Sequence, residues 1–338
     1  MLKKDIEQLI QHGSFPYDQE AKARLIETSI SFLILKGAYA YKIKKEIKLS
    51  FLDFSSLKQR KFYCYEELRL NKRLASDMYI DVLPISKTDN QWSIGKTVKS
   101  IAEYTVLMKR IDTKKQLDVL VHNKSIKAQS IKQIAIQIAQ FHKKEKSLKR
   151  NYDPFLLSRE FADIQHFKTT IQQYVGSDYV DLVEQSIQLS NMIVVLMQDF
   201  IKARAHQGNL KDCHGDLHSK NIFVDTQPII FDCIEFKTAF REIDVLNEIA
   251  FLCMDLECSK NEKLSKVFLS TYLKETDYTF KQNEQQLFLY FKAYRACIRA
   301  KVAAIALSQN PTDKTAIKEI KRYTIAMAHY LTTISNYL

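Results

Sequence analysis

Glycine and proline are scarce in this chain, six and five residues among 338. So few chain breakers argue against long flexible linkers and for a helix-rich protein. The six cysteines (Cys64, Cys213, Cys233, Cys253, Cys258 and Cys297) form no C-x-x-C pair and show no framework spacing. That excludes a disulfide scaffold and predicts reduced, buried thiols in a cytoplasmic protein. A zinc site is not expected: His214 and His218 stand four apart, but on a loop rather than on the helix such a pair needs. No stretch approaches the roughly 20 apolar residues of a membrane span, and MLKKDIEQLIQHG lacks the apolar core of a signal peptide. Charge is only moderately lopsided, 51 Lys and Arg against 39 acids, for a formal net charge of +12. The balance favours anionic ligands such as nucleotides or phosphorylated metabolites, with a basic solvated surface as the plain alternative. The run Lys143 to Arg150 has no interleaved aromatics and reads as a solvated connection, not a nucleic-acid patch. An apolar share of 46% over this length can bury a large core, in two lobes rather than one domain.

What the chain does contain centres on residues 212–236, DCHGDLHSKNIFVDTQPIIFDCIEF. A polar loop, His214-Gly215-Asp216, precedes a short strand (Ile222, Phe223, Val224), a turn through Pro228 and a second strand ending on Asp232. A hairpin brings its two ends together, so Asp216 and Asn221 before it would lie near Asp232 after it. Two carboxylates and an amide oxygen suit a hard cation such as Mg²⁺, which binds few protein oxygens and completes its shell with phosphates.

The form H-G-D-L-H-x-x-N-I, followed eleven residues after Asn221 by Asp232, resembles the protein-kinase catalytic loop and the metal-binding Asp beyond it. It is closer still to the aminoglycoside phosphotransferase and choline kinase branch. The resemblance implies an α+β, bilobal protein-kinase-like fold. A small antiparallel-sheet N-lobe would occupy residues 1–109, and a larger, mainly helical C-lobe with the catalytic loop and substrate pocket residues 110–338. It implies ATP or GTP with Mg²⁺, and a small hydroxyl compound as acceptor, with no membrane partner. Asp216 would be the catalytic base, Asn221 and Asp232 would hold Mg²⁺, and Glu235 would be a further carboxylate at the metal or substrate. His218, where many protein kinases carry a catalytic-loop Lys, would touch the γ-phosphate or serve structure alone.

Earlier in the chain, residues 1–24 read as an amphipathic helix (Ile6, Leu9, Ile10) and a connection through Pro16. Strands follow over Ser29–Leu35 and Ala38–Ile43, which place Lys42 as the third-strand Lys of the resemblance. No G-x-G-x-x-G precedes it, which leaves Thr28 and Ser29, or backbone N–H groups, to cover the phosphates. The helix 56–75 turns Leu57, Phe62, Leu70 and Leu74 to the core and offers Glu67, or else Glu66, as the partner of Lys42. Strands at 79–85, 92–94 and 101–108 come next. Gly95-Lys96-Thr97 between them is a turn, since a phosphate-binding loop needs Gly where Asn90 stands. Met108, Lys109 and Arg110 would be the hinge beside the adenine.

From residue 111 the pattern is helical. Ile131, Ile134, Ile138 and Phe141 mark one buried face, and 155–207 forms two or three helices, including the apolar Met192–Met197. Residues 241–252 open another, whose Asp244 either braces the catalytic loop or is an ordinary N-terminal acid. Arg295 and Arg299, four apart on one helix face, would pair with acids such as Asp255 or Glu257, or grip an anionic substrate. Taken together, these segments, roughly residues 20–305, resemble a bacterial group of aminoglycoside-phosphotransferase-like proteins often continued by a P-loop ATPase domain. No Walker motif occurs here, so any second ATP site is expected to be absent or supplied by a separate P-loop ATPase partner. Aminoglycosides are polycations and a poor match for a chain of charge +12 unless Asp255 and Glu257 make a local acidic pocket. Two rivals remain: a protein Ser/Thr kinase, disfavoured by the absence of D-F-G and A-P-E, and a non-catalytic nucleotide-binding regulatory module, which would have no need of Asp216.

Overall fold

The structure, a computed structural model, describes residues 1–49, 52–89, 91–96 and 100–336. Asn90 and Thr97, which bear on the Gly95-Lys96-Thr97 turn, lie outside the described residues. The chain forms two compact units, Met1–Gln116 with Asn221–Phe240, and Leu117–Lys220 with Arg241–Leu338. In chain order the elements are α1 (Lys3–His12), β1 (Ala23–Glu27), β2 (Ser31–Lys36), β3 (Tyr39–Lys44), β4 (Lys48–Leu49), β5 (Leu52–Asp53), α2 (Leu57–Asn71), β6 (Tyr79–Thr88), β7 (Gln91–Ile94) and β8 (Ile101–Lys109). Then come α3 (Leu117–His122), α4 (Ala128–Lys144), α5 (Phe155–Ala162), α6 (Lys168–Tyr174), α7 (Ser177–His206) and β9 (Leu210–Asp212). The chain continues with β10 (Ile222–Val224), β11 (Pro228–Ile230), β12 (Glu242–Asp244), α8 (Val245–Cys258), α9 (Glu262–Thr276), α10 (Gln282–Gln309) and α11 (Lys314–Ser335).

The first unit is built on a six-stranded antiparallel sheet in the order β1-β2-β3-β8-β6-β7. Side chains alternate across such a sheet, and both faces are covered. Tyr41 and Ile43 of β3 join Ile6 and Leu9 of α1 in one core, while Ala40 joins Cys64 of α2 and Phe223 of β10 in the other. By the same alternation Lys42 and Lys44 share the α2 face. Ser56 caps α2 by accepting the Gln59 N–H at 3.2 Å, a stabilisation of about 1 kcal/mol at such positions. Two details differ from the sequence reading. Phe62 is 57% exposed, because α2 turns Leu70, Cys64 and Glu67 inward instead. A further strand, β1, starts at the end of the stretch read as a connection, residues 1–24, and runs on to Glu27; it is a sheet edge with no fully buried residue, so no core pattern marks it.

The second unit is helical, with one two-stranded antiparallel ribbon, β9 and β12. Helix α8 is its centre, buried from Val245 through Leu256, and it packs on α9 and α10. Residues 242–244, read as the start of this helix, are a strand instead. Pairing with β9 takes their backbone groups, and the helix begins only after Asp244, whose side chain caps it. Helix α7 is long and apolar enough by length and composition to cross a membrane, although no uninterrupted apolar run marks it. Gln, Ser and Asn, with Glu184 and Asp199, interrupt its apolar residues, so average and run length give different answers. Here α7 packs against α5, α6 and α11.

Candidate functional site

In the first unit β3 carries two lysines into one buried network. Lys42 Nζ stands 2.8 Å from Glu67 Oε1 and 2.6 Å from Asp232 Oδ1. Lys44, 1% exposed, places its Nζ 2.7 Å from Glu67 Oε2 and also bonds Glu235 Oε1. Glu67 therefore bridges both lysines, one through each oxygen. Burial works against the charge on Lys42 and Lys44, but the carboxylates beside them overcome it and hold both ammonium groups above their usual range. Glu67 responds in the opposite sense: burial pushes its carboxyl up, and the two lysines bring it below the usual value. Burial lifts the Glu235 carboxyl, against the pull of Lys44. The sequence alternative, Glu66, pairs with Arg69 on the helix surface at 2.7 Å.

This network carries a pH signature. A carboxylate depressed on folding contributes stability that is fully present above its unfolded pKa, about 4.3 for Glu, and is lost as pH falls through the depressed value. We predict that Glu67→Gln makes denaturant stability fall less steeply below about pH 4.3 than in the parent. Equal slopes in both proteins over that range would contradict the role.

The hairpin β10–β11 sets the remaining groups of this unit. Ile222 pairs with Ile230, and the Phe231 N–H donates to the Asn221 carbonyl at 3.0 Å, so Asn221 and Asp232 flank the same end. Asp232 has φ +64, a left-handed conformation that Asp tolerates better than most residues. Its N–H donates to the Tyr79 hydroxyl at 3.4 Å, and the next N–H, of Cys233, to Asn71 Oδ1 at 2.9 Å. The Asp232 side chain remains 44% exposed. A half-exposed carboxylate and the oxygen of an amide, carried at one end of a hairpin, are donors of the kind Mg²⁺ takes.

Thr28 closes its own turn: its hydroxyl accepts the Ser31 N–H at 2.9 Å and donates to the Ser31 carbonyl at 3.0 Å. That bond fixes the β1–β2 hairpin without glycine, and Ser29 at its tip is exposed. The N–H groups of Lys109 and Arg110 bond the carbonyls of Met78 and Ala38, each at 2.8 Å, and Met108 is buried.

In the second unit α8 presents a stripe to the His214–Ser219 loop. Glu248, Phe251 and Asp255 recur at helical spacing. Glu248 accepts the N–H groups of His214 at 2.8 Å and Gly215 at 3.1 Å. The His218 ring lies 5.3 Å from that of Phe251, and Asp255 accepts the Ser219 N–H at 2.9 Å and its hydroxyl as well. Arg295 donates to the Gly215 carbonyl at 3.0 Å and to Asn247 Oδ1 at 2.7 Å. Gly215, at φ +87, uses the conformation only glycine adopts freely.

This bracing leaves Asp216 one-third exposed, 33% at the side chain, with Oδ2 3.3 Å from His218 Nε2. Because His218 Nδ1 accepts the Lys220 N–H at 3.2 Å, the ring proton belongs on Nε2, where it donates to Asp216. Burial works to raise the Asp216 carboxyl, yet His218 above all, then Arg299 and His214, hold it well below the usual range. It is an ionised acceptor.

The other residues singled out from sequence divide by partner. Asp244 takes Arg204 through both oxygens at 2.7 Å and caps α8, so it braces the β12–α8 junction. Arg295 meets Asn247 and Gly215, not Asp255 or Glu257. Glu257 instead bonds Lys292 at 2.9 Å and the Tyr330 hydroxyl at 2.6 Å. Arg299, 13% exposed, approaches Glu319 at 3.8 Å. Sequence reasoning missed Lys44, although its two-residue spacing from Lys42 was a signal. It also missed Glu248, four residues after Asp244.

No protein-family model matches the chain. A curated relative from Mycobacterium tuberculosis, itself uncharacterised, is 27% identical over 93% of this chain; the chain spans 61% of that relative's length. Among solved structures, a choline kinase from Cryptosporidium parvum aligns over 99% of this chain and 96% of its own, at 12% identity and a TM-score of 0.56. The chain has the kinase-like fold of that protein. A spectinomycin phosphotransferase bound to ADP and spectinomycin shares this fold, covering 98% of both chains at 11% identity and a TM-score of 0.53. Within this kinase-like fold the present chain differs from the protein-kinase pattern in its glycine-free β1–β2 hairpin and in the second buried lysine of β3.

Proposed function

We propose that this chain is a Mg²⁺-dependent phosphotransferase that moves the γ-phosphoryl of ATP or GTP to a hydroxyl of a small molecule in the cytoplasm. The observation that carries this reading is the Lys42 ammonium held at 2.6–2.8 Å between Glu67 and Asp232. A partly buried cation kept charged and aimed by two acids is suited to nucleotide phosphates. The choline kinase and spectinomycin phosphotransferase folds support the same assignment.

In the reaction the acceptor oxygen bonds to the γ-phosphorus as the bond from that phosphorus to the bridging oxygen breaks. The bridging electrons leave on the nucleoside diphosphate, and the acceptor proton passes to Asp216. Held ionised by His218, Asp216 orients the hydroxyl and receives its proton. Lys42 neutralises phosphate charge, and the hairpin end offers Asn221 and Asp232 as metal ligands. When bound, Mg²⁺ supplies charge neutralisation and a template for the phosphates. Glu235, tied to Lys44, positions the network in this assignment. Residues Thr28 and Ser29 cover the phosphates, and Met108–Arg110 border the base. With the Lys109 and Arg110 N–H groups engaged, base contacts there fall to carbonyl oxygens and apolar area.

The test is a thermal-shift series with ATP, GTP and ADP, each with and without Mg²⁺, followed by a transfer screen over small hydroxyl compounds. Mg·ADP is expected to raise the melting temperature, and Asp232→Asn to remove the Mg²⁺-dependent part of that rise. A parent protein indifferent to every nucleotide, with or without the metal, would rule the reading out.

A further inference from the structure

Three cations of the second unit converge on one carboxylate. Glu319 of α11 takes Lys220 Nζ at 3.1 Å, Arg299 at 3.8 Å and Arg322 at 4.0 Å. Glu319 lies within ion-pair distance of all three, and Asp216 and Asp255 also bear on Arg299 through their charge. The two arginine contacts exceed hydrogen-bond length, so the pairing leaves guanidinium donors over. Arg322 Nε is buried and meets no hydrogen-bond acceptor among the described residues, while its Nη2 donates to the Tyr323 hydroxyl at 2.8 Å. The Arg299 guanidinium lies over the Tyr323 ring at 5.8 Å, with Arg322 at 4.6 Å from the same centroid.

The cluster adjoins the Asp216 loop. Lys220 follows it directly in the chain, and Arg299 stands one helical turn beyond Arg295, which bonds Gly215. The charge of Arg299 is also felt at Asp216 and Asp255. Meanwhile the acids that would welcome a cationic acceptor are engaged, Asp255 by Ser219 and Glu257 by Lys292.

We propose that Arg299, Lys220 and Arg322 seat an anionic group of the acceptor, a phosphate monoester or a carboxylate, beside Asp216. Guanidinium groups match the paired oxygens of either anion. The proposal rests on the phosphotransferase reading and narrows it: the acceptor is an anionic hydroxyl compound, not a choline-like or aminoglycoside-like cation.

The experiment uses the full chain with saturating Mg·ADP and four matched probes: glycerol, glycerol 3-phosphate, glycerate and choline. Calorimetry is expected to show glycerol 3-phosphate or glycerate binding at least about tenfold more tightly than glycerol or choline, about the factor one charge-assisted hydrogen bond supplies; which anion is preferred tells phosphate from carboxylate. Arg299→Ala and, separately, the more exposed Arg322→Ala should each weaken anion binding about tenfold, Arg299→Lys less so, while Mg·ADP affinity holds. In transfer assays Arg299→Ala should raise KM for the anionic probe more than it lowers kcat. Glycerol or choline binding as well as the anions, no probe binding, or anion affinity unmoved by either arginine variant overturns the proposal while leaving the phosphotransferase reading in place if Mg·ADP binds. Failure of the parent to bind Mg·ADP overturns both.

Discussion

Asp216→Asn is expected to cut phosphoryl transfer by about 10²–10⁴-fold, the usual range for loss of a general base, with Mg·ADP affinity close to that of the parent. The substitution keeps the shape and the oxygen that receives the His218 Nε2 hydrogen bond, seen at 3.3 Å. It removes the ability to take a proton, together with the negative charge. The bracing from Glu248, Arg295 and Asp255 acts on the backbone and on Ser219, so the loop should survive. Rates from a coupled diphosphate assay and ADP affinity from calorimetry check both halves. Transfer at the parent rate would remove Asp216 from the chemistry.

The second large effect concerns Lys44. Lys44→Met should destabilise the protein by about 3–5 kcal/mol, the cost of leaving buried charges without their partner. Glu67 would lose one of its two lysines and Glu235 its ion-pair partner, both in a site with almost no access to water. Adding Glu235→Met should recover most of the loss, because a buried pair replaced by apolar groups of similar size is often near neutral, and Lys42 still holds Glu67 at 2.8 Å. Denaturant unfolding of the parent, both single variants and the double variant forms the cycle. Simple additivity of the two losses would show that Lys44 and Glu235 act independently.

Much of the kinase-like fold could be read from residue order alone. Alternation over 39–44 and the helical period at Ile131, Ile134, Ile138 and Phe141 depend on local geometry, which a side-chain pattern encodes directly. The short hairpin after the His214–Asn221 loop is local in the same sense, although the sequence reading puts Pro228 in the turn and the structure pairs it with Val224. Phe62 and β1 mark the limit. A helix of mixed composition has no unique inward face until something packs on it, and an edge strand without buried residues leaves no periodic trace.

The candidate site divides along the same line. Sequence by itself determined that Lys42 closes an apolar strand, that Asn221 and Asp232 end one hairpin, and that Arg295 and Arg299 rise from one side of α10. Each follows from bonds a few residues long. Only tertiary structure decided that Glu67 rather than Glu66 turns to the lysines, that Lys44 is buried with Glu235, and that Arg295 is bound to Gly215 while Arg299 stands 3.8 Å from Glu319. Those outcomes depend on which groups lose water when distant elements pack. A buried charge must find its partner across the fold, and that pairing has no period in the sequence.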